Sequence, residues 1–252
     1  MFHMDQIPLP FVLDSSRSLN AIGRPCFIFQ PGGDLDKRQA TIQLCIRAGG
    51  VQIVRPGIVF RGKGLRLKAD ELAVYASLSP FIAVYFQPKA WCDEVIALAW
   101  LEQFQTETAH LGERMLGMDR HAPQKTQTFR DEMTANNVVP VYTPPDCTDC
   151  VAPVDHHVGA RLKHIMGLFY HLEVEDHRDS WCMPPGLGGL QTWQRRVRMA
   201  TWLATAWTMI KDDAPFFRKA FVSTGFLIAL DGSENKMIKL NGLPNYDFSR
   251  SE

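Results

Sequence analysis

Apolar and polar positions along the chain move between two rhythms, a period near two that marks strands and a period near 3.6 that marks helices. Residues 1–13 are apolar but broken by Pro8 and Pro10, which predicts a short strand ending at a turn. Arg38 to Arg47 alternates loosely, Gly49-Gly50 follows, and Val51 to Phe60 is rich in β-branched residues, so a hairpin is predicted there. Phe81 to Phe86 predicts a further strand, stopped by Pro88. Val95, Ile96, Leu98, Ala99, Leu101 and Phe104 give a helix from Asp93 to Phe104 a wide buried face. Arg114 to Met118 predicts a buried strand that carries Asp119 at its C-terminal end. A helix from Thr126 to about Asn136 follows, then the strand Val138 to Tyr142, which Pro140 confines to a sheet edge. Pro153 suits the first position of a helix running toward Glu173, with Val158, Leu162, Ile165, Met166 and Phe169 as its core stripe. A loop from Pro184 to Gly189 leads to a last long helix, buried along Trp193, Val197, Ala200, Ala204 and Trp207. Phe226 to Leu230 and Lys236 to Leu240 predict a small hairpin or extended tail around Asp231-Gly232-Ser233. This order predicts an α/β protein, a mixed sheet flanked by helices.

Composition narrows the picture. The chain has 252 residues, enough for one large domain or two small ones. Hydrophobic residues make up 46% and charged residues 21%, so a sizeable core is expected and wholesale disorder is excluded. The longest apolar runs, Val95 to Leu101 and Met199 to Ile210, fall short of the roughly 20 residues that span a bilayer. The N-terminus lacks the basic and apolar segments of a secretory signal. The 6 cysteines follow no disulfide framework and read as reduced thiols of an intracellular protein. With 27 Lys+Arg against 27 Asp+Glu the net charge is zero, which speaks against a surface coated in positive charge for nucleic acid.

Three carboxylates stand out by placement: Asp5 on the first strand, Asp119 at the end of a buried strand, and Asp155 in the first turn of a helix. A carboxylate on or just beyond a buried strand is costly unless something neutralises it, and a bound Mg2+ or Mn2+ would do so with hard oxygen ligands. Each also has a plainer reading. Asp5 could end a strand, Asp119 could open a turn, and Asp155 could favour a helix N-terminus through the dipole.

The surrounding stretches carry a resemblance. Met4-Asp5-Gln6-Ile7-Pro8-Leu9-Pro10-Phe11, Phe60-Arg61-Gly62-Lys63-Gly64, Phe86-Gln87-Pro88-Lys89-Ala90-Trp91, and Pro144-Pro145-Asp146-Cys147-Thr148-Asp149 through Pro153-Val154-Asp155 occur in family order. Together they resemble the catalytic core of DDE-type transposases, most closely the pogo, Tigger and jerky-like members of the mariner superfamily, from residue 1 to about 240. The spacing between Asp119 and Asp155 lies in the range that family uses. The resemblance implies a ribonuclease-H-like mixed five-stranded sheet with extra C-terminal helices, a catalytic domain over residues 1–245 and a disordered tail over 246–252. It implies that Asp5, Asp119 and Asp155 are an acidic triad holding two Mg2+ or Mn2+ ions for DNA strand cleavage and transfer. It further implies DNA as partner, with a homodimer or a separate DNA-binding subunit, and a nuclear location. Activity should then need metal and fall at acid pH, where the acids are protonated.

The chain departs from the family in places. Asp119-Arg120-His121 stands where the second acid is commonly followed by Asn, and His156-His157 follows the third acid in place of Gln-Gly. Arg120 could pair with phosphate or weaken metal binding by like charge; His156 could touch the scissile phosphate or sit on a solvated helix face. Lys63 could approach the DNA backbone or mark a plain surface turn. Arg195, Arg196 and Arg198 could line a DNA path or form a solvated face. Full-length relatives carry helix-turn-helix modules ahead of the first acid, whereas only Met1 to Met4 precede Asp5 here, so the expectation is an isolated catalytic domain from a truncated or transposon-derived product. The alternative is a catalytically silent, transposase-derived DNA- or chromatin-binding protein. Cys147-x-x-Cys150 followed by His156-His157 invites a zinc reading but lacks a second paired knuckle. Gly62-Lys63-Gly64 lacks the rest of a phosphate-binding loop.

Overall fold

A computed structural model describes residues 1–10, 38–144, 147–183, 185–240, 243 and 247. Its centre is a mixed sheet of β1 (Phe2–Pro10), β2 (Arg38–Arg47), β3 (Gly57–Arg61), β4 (Ala83–Gln87), β5 (Arg114–Met118) and β6 (Val138–Tyr142). Their spatial order is β4-β3-β2-β1-β5-β6. β1, β2 and β3 are antiparallel, whereas β3–β4, β1–β5 and β5–β6 are parallel. The sheet therefore has six strands rather than five; the extra one is β4, which the Phe81 to Phe86 run predicts and which caps the free edge of β3. Pro140 sits in β6 at the opposite edge, where its missing N–H costs no ladder bond.

Alternation on the strands splits the core in two. Phe2 and Met4 of β1, Cys45 of β2 and Val59 of β3 face one layer. That layer is completed by Trp100, Leu101 and Phe104 of α2 (Glu94–Thr108) and Phe129 and Met133 of α3 (Gln127–Ala135). Ile7 and Leu9 of β1 face the other side with Ile42, Leu44, Ile58 and Phe60. They pack there against α5 (Gly159–Asp176), α7 (Thr192–Ile210) and α8 (Ala214–Ser223). Buried on both faces, the central strands have no solvent side, and the polar residues His3, Asp5, Gln39, Thr41 and Gln43 on them are buried. Three short or marginal helices complete the chain: α1 (Ala69–Leu78), α4 (Thr148–Val151) and α6 (Arg178–Cys182). Side-chain caps fix several starts: Asp93 accepts from the Ile96 amide, Thr126 from Phe129 and Asp213 from Phe216.

Three further expectations change. The predicted strand Val51 to Phe60 is regular only from Gly57; the segment before it is a loop tied by the Gln52 side chain to the Arg47 backbone. The helix at Pro153 opens as a π-helical turn, Val154–Val158, before α5. The predicted C-terminal hairpin is instead a series of turns with a 3-10 segment, Asn235–Met237. The tail 246–252 lies outside the described residues, apart from Asp247. Among the described residues no helix is long and apolar enough to cross a membrane.

Candidate active site

The parallel pairing of β1 with β5 sets Phe2 opposite Leu116 and His3 opposite Gly117. Continued by two residues, that register brings Asp119 alongside Asp5 and on the same face of the sheet, since side chains alternate. This is the face on which Ile7 and Leu9 meet α5, so Asp5 points toward the elements that carry Asp155. Asp155 lies in the π-helical turn, with Val154 and Val158 fully buried on either side of it. Wide turns of this kind are frequent at functional sites. Here one lifts a carboxylate out of a regular helical path.

Two glycines allow the approach. A Cβ on Gly159 would stand 3.0 Å from Ile7 Cδ1 and 3.2 Å from the Val154 carbonyl, so the turn can press onto β1 only with glycine there. A Cβ on Gly117 would stand 2.7 Å from His3 Cδ2 and 3.1 Å from Phe226. His157, in the same turn as Asp155, places Nε2 2.8 Å from Ser223 Oγ and ties the turn to α8.

The acids differ in exposure. Asp5 is 6% exposed and forms the floor. Asp119 is half-buried and Asp155 exposed. One Asp5 oxygen accepts from the Gln6 amide at 2.7 Å, while Oδ2 is buried with no donor facing it. Burial is the main reason that the Asp5 carboxyl is pushed up to about 8. The neighbouring Asp155, within hydrogen-bonding reach, and the more distant negative charge of Asp119 push the same way. The floor of the site thus holds a proton in place of a counter-ion. Asp119 is oriented by its own turn: Oδ1 accepts from the His121 amide at 3.3 Å. Gln124 is buried and, with its amide turned to satisfy both groups, donates to the Asp119 carbonyl at 2.8 Å and to Oδ1 at 2.6 Å. The sequence reading missed Gln124, which has no signal beyond a polar residue in a loop.

Carboxylate-only donors and an orphaned buried oxygen fit a hard divalent cation. No ion pair to Asp5 or Asp119 occurs among the described residues. Among the described residues no three His, Cys, Asp or Glu side chains stand grouped so as to hold a metal ion, so Asp5, Asp119 and Asp155 do not by themselves enclose one. That holds also for the Cys147-x-x-Cys150 pair, whose half-buried thiols form no disulfide among the described residues.

The expected DNA-contacting residues divide. Lys63 is exposed and lines a cavity of about 400 Å³ with Gly62, Gly64, Arg66, Phe86 and Arg196. Arg120 is exposed immediately after Asp119. The His156 side chain lies outside the described residues. Arg195 is a correction: it is 3% exposed, its guanidinium lies 4.7 Å from the Trp181 ring, and Nη2 donates to the Trp181 carbonyl at 3.0 Å. It belongs to the buried side of α7 with Met199, Trp202, Leu203, Ala206 and Ile210; of the expected stripe, Ala200, Ala204 and Trp207 are buried there too, whereas Trp193 and Val197 are half-buried. Arg196 is held by Glu71 and Arg198 by Glu173 at 2.6 Å, so neither offers a free charge.

Known proteins supply one family and a set of similar structures. Solved structures that resemble the chain include a Mos1 transposase paired-end complex with left transposon end, 13% identical, covering 86% of this chain and 56% of that one at a TM-score of 0.45. A mariner Mos1 paired end complex with Mg is 13% identical over 84% and 55%, at 0.42. The catalytic domain of Mos1 mariner transposase is 13% identical over 90% and 83%, at 0.34. The chain spans about half the length of the longer of these transposase chains. No curated protein matches it. The family model for DDE superfamily endonucleases matches residues 37–214, a span that holds Asp119 and Asp155 and follows Asp5. Matched over well more than half its length, the chain belongs to the DDE superfamily endonuclease family.

Proposed function

We propose that the chain is a metal-dependent DNA strand-cleavage and strand-transfer core whose acids are Asp5, Asp119 and Asp155. The observation that carries this reading is the buried, counter-ion-free Asp5 carboxylate with two further acids directed at it from β5 and the π-helical turn. Asp5 would hold metal from the floor, Asp119 from the β5 side under the grip of Gln124, and Asp155 from the solvent side. A pair of Mg2+ or Mn2+ ions, when bound, supplies Lewis acidity at phosphorus and activates a water or 3′-hydroxyl for in-line displacement. The protein's own work is to keep these carboxylates in place and to surrender the Asp5 proton as metal enters. The exposed side of the site, at Asp155, leaves room for a DNA strand, and a DNA substrate makes the nucleus its place of action.

The test is nicking of supercoiled DNA across Mg2+ and Mn2+ concentrations. Wild type is expected to nick and Asp119→Asn to lose at least about 100-fold, since even outer-shell changes at metal sites cost 10–100-fold. DNA binding without nicking at any metal concentration would overturn the reading in favour of a silent, transposase-derived binding module. The Asp119-Arg120 pair, a cation beside the second acid, is the feature that favours that alternative.

A further inference from the structure

Just past Asp119, four residues from four elements close around one cavity of about 270 Å³: Arg120 after β5, Lys125 at the end of the 3-10 turn Ala122–Lys125, Arg130 on α3 and Tyr142 at the end of β6. The three cations are exposed, and none takes part in an ion pair among the described residues. Four other arginines do meet a carboxylate: Arg55 meets Glu107, Arg161 meets Asp213, Arg196 meets Glu71 and Arg198 meets Glu173. Three unbalanced cations around one small cavity are costly to assemble by themselves, and their sign and number suit an anion. Tyr142 donates its hydroxyl proton to the Gln124 carbonyl at 3.0 Å, so its ring serves as a wall rather than a free donor. Gln124 in turn holds Asp119. The cavity and the second acid are therefore built on one rigid frame, at the C-terminal ends of the parallel strands β5 and β6, where α/β sheets bind ligands.

We propose that this cavity is a phosphate subsite, which seats a DNA backbone phosphate at a fixed offset from Asp119. The proposal rests on the reading of the chain as a DNA-cleaving core. Arginine forks match a phosphodiester bidentately and Lys125 adds a point charge. A zero net charge is compatible with this use, because the positive charge is concentrated where a strand must be positioned rather than spread over the surface.

The experiment measures affinity for a labelled duplex of about 20 base pairs in EDTA, from 50 to 200 mM NaCl. It compares wild type with Arg120→Gln/Lys125→Gln/Arg130→Gln, and with the control Lys163→Gln/Lys219→Gln, whose side chains lie outside the cavity. The cavity variant is expected to bind more weakly, with a slope of log K against log salt shallower by about 0.9 for each phosphate it no longer neutralises, while the control changes less. The three single variants are expected to share the effect in parts, which keeps the test intact if the triple variant unfolds. Unchanged affinity and slope in the cavity variant would overturn the proposal. So would millimolar inorganic phosphate raising the Tm of wild type, but not of the cavity variant, while DNA affinity is the same for both: the cavity would then take the free anion. Metal-dependent nicking by wild type alongside an unchanged slope would sink the subsite alone. A reduced slope in a chain that never nicks would sink the cleavage reading and leave the subsite standing.

Discussion

Two buried carboxylates on the same side of the sheet have been treated in opposite ways. Glu71, on α1, is fully buried, yet Arg196 donates to it from Nε at 2.7 Å and Nη2 at 2.9 Å, and the Tyr75 hydroxyl donates at 2.8 Å. Asp5, on β1, is nearly as buried but receives one backbone N–H and faces two more acids. The fold can satisfy a buried carboxylate, and at Glu71 it does so with a bidentate arginine that locks α1 to α7. At Asp5 the same means are withheld. A carboxyl that keeps its proton at the centre of the sheet, with no cation to meet it and two further acids beside it, is what a metal-binding acid looks like before metal arrives.

Breaking the satisfied pair should have the largest effect on stability. Glu71→Gln leaves the half-buried Arg196 without a counter-ion and is expected to cost about 3 kcal/mol, read as a lower urea midpoint with the slope unchanged. Asp5→Asn should do the reverse in metal-free protein. The folded Asp5 binds its proton up to about 8, well above an unfolded carboxylate, so its contribution is present in acid and is lost as pH rises through that range. Metal-free wild type should therefore lose Tm between about pH 4 and pH 8 relative to Asp5→Asn, and the two should converge below pH 4. His3, two residues earlier, works the other way. Burial with neither ring nitrogen bonded lowers it to about 3, so its contribution is lost as pH falls from about 6.5 to 3. His3→Phe is expected to flatten that acid limb in a pH series of melting curves. The smallest effect should come from Gly159→Ala, about 1–3 kcal/mol from crowding Ile7 and the Val154 carbonyl. It should also reduce nicking, because the π-helical turn that carries Asp155 is pushed off β1. Lost stability with full nicking would show that the close approach does not position Asp155.

Much of the frame around these two carboxylates could be read from local sequence. The strands Arg114 to Met118 and Val138 to Tyr142 are short apolar runs with clear stops, and Asp93 and Thr126 announce α2 and α3 as N-caps. The helix α8 carries the same kind of signal, Asp213 as cap with Pro215 in the first turn, but went unread beside the stronger pattern of α7. The three acids came from a resemblance in motif order, and the register of β1 with β5 gives a physical reason for two of them to meet. Because α7 has bulky residues on two sides, its periodicity does not show that Arg195 is buried. Its burial depends on Trp181 and on the Trp181 carbonyl, neither of which a periodicity within α7 can reveal. The π-helical turn and the grip of Gln124 on Asp119 likewise arise from packing between distant segments, and no local pattern encodes them.

The central claim is that the protonated Asp5 carboxyl, which has no counter-ion, is a metal site, and calorimetric titration with Mn2+ in buffers of different ionisation enthalpy tests it directly. Near pH 7 the account expects Mn2+ to bind with release of about one proton, with less release near pH 9, and both binding and proton release to be lost in Asp5→Asn. Mn2+ that fails to bind, or binds equally well to Asp5→Asn without displacing a proton, would contradict it.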